Sequence, residues 1–160
     1  LTRIDRWLHE NRPRFQKGLL PGASPAECDH LQSELGRPLP TELRTLLSWH
    51  NGQNPEVVGA FEQSWNLMST RGIAEAKKML DSAAADGWQP TWIPFLDDDA
   101  GDFLCLDTSE AGHPVRECWQ GNPEHPAVAP SLTAWMERFL HGLESGAYYE
   151  DPERGIFHRR

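Results

Sequence analysis

The sequence predicts an α+β fold, a single mixed or mostly antiparallel sheet with helices packed on it. Two observations carry this. Between Ser131 and Gly146, Leu132, Trp135, Met136, Phe139, Leu140 and Leu143 recur at the spacing that gathers them on one face of a helix. Between Trp92 and Leu106, two short apolar runs flank a polar, glycine-containing stretch at residues 97–102, the pattern of two strands joined by a hairpin.

The remaining elements follow in chain order. Ile4, Trp7 and Leu8 fall at i, i+3 and i+4 and predict a short helix over residues 2–10. Residues 11–25 are rich in Pro, Gly and Arg and read as loop. Ser24-Pro25-Ala26-Glu27 then opens a helix: Ser24 caps it, Pro25 suits its first turn and Glu27 completes a capping box. That helix is predicted to end at Gly36. Leu39-Pro40 opens the next, with Leu43, Leu46 and Leu47 as its apolar stripe. Asn51-Gly52 is its stop, two residues that tolerate left-handed backbone. Residues 53–64 read as loop, 65–68 as a short strand, and 69–85 as a helix through Ile73, Ala76, Lys77 and Leu80.

Strands are predicted over residues 92–96 and 103–106. In the second, Phe103 and Cys105 point one way and Leu104 and Leu106 the other. Both faces are apolar, which predicts a central strand covered on each side. Pro94 inside the first strand demands an edge or a bulge. Residues 115–119 and 127–129 are further strands, split by a turn at residues 121–123. Beyond Ala147 the chain turns polar and is expected to fray. The expectation is thus one domain over residues 1–160, with its core at about 24–146 and a polar tail at 147–160.

Composition narrows the function. The formal net charge is −9, and it is unevenly placed. Residues 79–115 contain no Lys or Arg but hold Asp81, Asp86, Asp97, Asp98, Asp99, Asp102, Asp107 and Glu110. Phosphate binding wants a basic surface, so nucleic acid is not expected as a direct ligand. A basic protein partner suits this field, although acids also serve simple solubility. Three widely spaced cysteines, Cys28, Cys105 and Cys118, argue against a disulfide framework and point to a reduced, cytoplasmic protein. No apolar stretch is long enough to span a membrane. Residues 1–10 are too charged for a signal peptide, and the start at Leu1 leaves room for residues upstream.

Three segments together resemble the SUKH superfamily, and within it the Smi-one/Knr-four family. The first runs from Leu35-Gly36 through Leu39-Pro40 to Trp49-His50-Asn51-Gly52. The second is Trp92-Ile93-Pro94-Phe95 followed by Gly101-Asp102 and the strand ending in Asp107. The third is Val128-Ala129 leading into Ser131-Leu132, Trp135 and Phe139. Leu39, Pro40, Asn51, Gly52, Trp92, Pro94, Gly101, Asp107 and Trp135 carry the match, and physical chemistry reads each as structural. Asp107, for instance, is placed to hydrogen-bond its own turn backbone. The resemblance implies a protein-binding module. Bacterial members are regarded as immunity proteins that neutralise toxins, many of them nucleases or deaminases. The yeast relative regulates cell-wall synthesis, so a non-enzymatic regulator of envelope processes is the alternative, with a hydrolase or metal enzyme third.

No catalytic, cofactor or metal residues are assigned. The sequence has no G-x-S-x-G, P-loop or G-x-G-x-x-G motif. Cys105, His113, Cys118 and His125 share one stretch but lack the short ligand pairs of zinc sites. A calcium loop counted from Asp97 places Gly101 where a ligand belongs. The candidate partner-binding residues are Asp97, Asp98, Asp99, Asp102 and Glu110, whose carboxylates attract Lys and Arg, and Trp119 as an aromatic anchor. Trp49, Trp65 and Trp88 also lie near element ends, whereas Trp7, Trp92 and Trp135 are expected in the core.

Overall fold

A computed structural model describes residues 1–57, 59–83, 87–150 and 157–160. Helix α1 (Thr2–Asn11) leads into a one-turn helix α2 (Pro13–Gln16), followed by α3 (Pro25–Leu35) and α4 (Thr41–Trp49). A short strand β1 (Asn66–Leu67) precedes α5 (Thr70–Ala83). Three strands follow, β2 (Trp92–Asp97), β3 (Phe103–Asp107) and β4 (Val115–Cys118), and then β5 (Ala127–Ala129). Helix α6 (Leu132–Glu144) and a hairpin of β6 (Tyr148–Glu150) and β7 (Phe157–Arg159) complete the chain. The main sheet has five strands in the order β1-β2-β3-β4-β5, antiparallel throughout. The fold is α+β, as the sequence predicts.

Strand β3 lies at the centre of the sheet, and none of its five residues is more than 6% exposed. A strand with apolar side chains on both faces has to be covered twice, and α5 and α6 supply apolar cover. Helix α5 packs on β2, and α6 meets the sheet where Trp135 stands edge-on to Phe95 at 6.1 Å. The register slips between Pro94 and Leu96, so β2 contains the bulge that an interior proline demands. Both outer strands are closed by side chains. Gln53 accepts from the Leu67 amide, and Arg138 donates to the Val128 carbonyl, so each edge has a backbone group engaged from outside the sheet.

The helix ends follow their local chemistry. Ser24 and Glu27 form both halves of the capping box of α3, and Ser131 caps α6. The Asn51-Gly52 pair works differently from expectation. Helix α4 ends at His50 in extended backbone, and only Gly52 is left-handed, with φ +89°. A Cβ on Gly52 would meet the Ser69 amide nitrogen at 2.8 Å, so glycine is needed for close approach as well. Asn51 serves through its side chain, accepting from the Thr70 amide at 2.7 Å and so capping α5. Helix α5 is described to Ala83; Ala84 and Ala85, assigned to it from sequence, lie outside the described residues.

Two expectations are corrected. Residues 13–16, read as loop, form α2, because Pro13 starts a helical turn and Phe15 has a core to enter. The tail does not fray at Tyr148 or Phe157, which are 7% and 0% exposed and stack at 5.0 Å. Phe157 completes a shell around Arg12. The Arg12 guanidinium lies 4.2 Å from the Phe15 ring and 4.1 Å from the Phe157 ring, and donates to the Ala60 carbonyl and the Glu150 carboxylate. Burial pulls its pKa down, and Glu150 opposes that. Tyr148 donates to Glu62 at 2.6 Å, a second buried tie between the tail and the loop before β1. Trp7 is only partly buried, while Trp92 and Trp135 are core.

At the far end of β3, Asp107 is 3% exposed and accepts from Arg116 at 2.8 Å and from the Ser109 amide at 3.0 Å. The turn bond expected from sequence is therefore present, joined by an ion pair. Burial pushes the Asp107 carboxyl up, but the bonds from Ser109 and Arg116 outweigh it and hold it below the usual aspartate value.

Phe157→Ala is expected to cost about 3 kcal/mol in a urea unfolding experiment; a fraying tail would lose almost nothing. Asp107→Asn is expected to cost about 2 kcal/mol at neutral pH. Because the folded-state pKa is depressed, that contribution is present above the unfolded value of about 4. It fades as pH falls through the folded one. Unfolding curves of both proteins that keep a constant gap down to strong acid would contradict this.

Candidate protein-binding surface

A five-residue strand is roughly 15 Å long, so the two ends of β3 present separate surfaces. The turn from β2 into β3 and the loop from β4 into β5 share one end. The connection from β3 to β4 lies at the other. This topology divides the predicted partner-binding residues. Asp97, Asp98, Asp99, Asp102 and Trp119 come together at the first end. Glu110 sits at the second, where it is ion-paired with Arg116.

Each carboxylate of the acidic turn has a local hydrogen bond. Asp97 proves to be the last residue of β2, paired across the sheet with both Phe103 and Asn66. The Asn66 amide donates to Asp99 at 2.8 Å and to Asp97 at 3.4 Å. Asp98 accepts from the Ala100 and Asp102 amides, both at 2.9 Å, which closes the turn on itself. Asp102 accepts from the Gln120 amide at 2.7 Å and thereby ties the turn to the loop that bears Trp119. Gly101 takes φ +106° beneath this contact, where a Cβ would strike the Gln120 side chain. Trp119 is 42% exposed, whereas Trp49, Trp65 and Trp88 are partly buried against the core.

These bonds position the carboxylates without neutralising them. None of Asp97, Asp98, Asp99 and Asp102 has an ion-pair partner among the described residues. Asp29, Asp81, Asp107, Glu75, Glu110, Glu144 and Glu150 are all paired with Arg or Lys. Partial burial, and then the neighbouring Asp99 charge, raise the Asp97 carboxyl above its usual value.

Beside the turn lies a groove of about 540 Å³. Leu67, Met68 and Val57 supply apolar lining, and Gln53, Gln63, Asn66 and Asp97 to Asp99 supply its polar part. Among the described residues none of the lining is basic. Sequence reasoning missed Gln53 and Gln63, which lie in a segment with no periodicity to assign them a face. The structure shows what Gln53 does. It donates to Asn66 at 3.0 Å and to the Gly59 carbonyl at 3.1 Å, and so holds the loop against β1.

The cysteines offer no exposed nucleophile. Cys28, Cys105 and Cys118 are free and buried. Burial, then the neighbouring Cys118 thiol, push the Cys105 thiol well above its ordinary value. Among the described residues no three His, Cys, Asp or Glu side chains converge as a metal site would require. No described helix is long and apolar enough to cross a membrane.

Asp102→Ala removes the acceptor for the Gln120 amide. Hydrogen exchange at Gln120 is expected to accelerate by about tenfold, with a stability loss of about 1 kcal/mol. Unchanged exchange there would mean that Asp102 does not hold the Trp119 loop.

Comparison with curated proteins finds no match. A family model described as the SMI1 / KNR4 family (SUKH-1) matches residues 22–138, from the approach to α3 into α6 and including the whole five-stranded sheet. The chain belongs to the SMI1 / KNR4 family (SUKH-1).

Proposed function

We propose that this protein is an immunity-type binding module. It occludes a basic toxin domain of the nuclease or deaminase kind in the cytoplasm, through the acidic end of its sheet. The observation that carries this reading is the gathering of Asp97, Asp98, Asp99 and Asp102 in one turn, held by amide hydrogen bonds and without an ion-pair partner among the described residues. An unneutralised, rigidly held group of carboxylates lowers its field energy when Lys or Arg arrives from outside. Trp119 supplies an exposed aromatic beside it. Family membership supports a role in protein contacts, and the buried thiols suit a reducing compartment.

The module works by binding rather than by chemistry. Its turn carboxylates are engaged by amides, and its Cys105 thiol is shielded by burial. One unit over residues 1–160 suits this role, since Ile4 and Phe157 join the same core as the sheet.

The test is co-expression with the product of the adjacent open reading frame, scored by rescue of growth and by co-purification. Association with that product is expected to slow about tenfold between 50 and 500 mM salt. Trp119→Ala is expected to weaken the complex by about 2 kcal/mol while leaving the fold intact. A complex indifferent to salt would rule out acidic steering. Failure to rescue and to co-purify would remove the immunity reading itself.

A further inference from the structure

We propose that the groove between β1, the loop residues 53–57 and 59–64 and the acidic turn is a docking slot for an extended basic segment of the partner protein. This deepens the protein-binding reading and rests on it. The slot has the two halves that a Lys or Arg side chain requires. Leu67, Met68 and Val57 give apolar lining for the aliphatic stem, and Asp97 and Asp99 give a charged rim for the head group. The rim is fixed before anything binds. Gln53 holds Asn66, and one Asn66 amide holds both carboxylates. Two like charges share that amide, and among the described residues no basic side chain lines the groove to offset them. Charge complementarity therefore commits the occupant to a cation-bearing segment rather than a neutral or acidic one.

The size argues against a single ion as the occupant. A groove of about 540 Å³ is the size of a small-molecule or peptide-side-chain site, far larger than a single ion needs. Recognition there runs through side chains. The outward backbone of Leu67 is already bonded to Gln53 on both its amide and its carbonyl, so an incoming strand cannot simply extend the sheet at that residue.

The probe is the acetylated and amidated hexapeptide Val-Lys-Leu-Arg-Val-Lys, titrated into the 15N-labelled full chain, with its Glu-substituted counterpart as control. Saturable amide shifts are expected at Asn66, Ser69, Gly72 and Asp97 to Asp99 with the basic peptide alone. Asp97→Asn combined with Asp99→Asn keeps the hydrogen-bond acceptors, and is expected to weaken binding about fivefold. Asp29→Asn combined with Glu34→Gln removes the same charge from α3, and is expected to change the affinity less than about twofold. Shifts centred elsewhere, equal weakening by both double variants, equal binding of the acidic peptide, or no saturable shift would each overturn the slot. Shift mapping on the unmodified chain keeps the test valid should a variant fold poorly. The two readings also fail separately. A co-purified partner that binds the Asp97→Asn/Asp99→Asn protein undiminished removes the slot alone, whereas the absence of any partner removes the module's proposed role.

Discussion

The structure depends on burying one strand on both faces. Strand β3 offers Phe103 and Cys105 on one side and Leu104 and Leu106 on the other, and even its last residue, Asp107, is inside. A strand of this kind is stable only in the middle of a sheet with cover above and below. That requirement places β2 and β4 beside it and brings α5 and α6 against the sheet. It also sends the connections to the strand ends, where backbone polar groups can reach water. The acidic turn is one such connection, so the most charged part of the chain sits on a rigid edge of the core.

That placement explains how carboxylates can be ordered and still unneutralised. Asp98 and Asp102 spend hydrogen-bonding capacity on backbone amides of the turn and of the neighbouring loop. Asp97 and Asp99 share Asn66. Amides fix carboxylates in place without cancelling their charge, whereas Arg116 at the opposite end pairs with both Asp107 and Glu110 and offsets one of their two charges. The two ends of one sheet thus carry acids in different electrical states.

The chain's ends show what a buried cation requires. Arg12 is almost wholly enclosed, a costly position for a guanidinium. Two aromatic faces, a backbone carbonyl and Glu150 offset that cost, and they come from α2, the loop before β1 and the C-terminal hairpin. The tail is held because it completes this shell. Tyr148, Tyr149, Ile156 and Phe157 hint at it in sequence, amid polar neighbours that mask any periodicity.

The sequence by itself determined the elements whose signals are local. The capping box at Ser24 and Glu27, the apolar stripe of α6, an edge or a bulge at Pro94 and the central place of β3 all follow from spacing and side-chain type. These interactions involve residues a few positions apart, or a strand's own alternation. Only the tertiary structure decided which distant residues meet. It separated Glu110 from the other acids, made Asn51 a cap for α5, put Gln53 and Asn66 behind Asp97 and Asp99, and drew the tail around Arg12. Such contacts join segments tens of residues apart, and their energies depend on burial and direction, which no local pattern encodes.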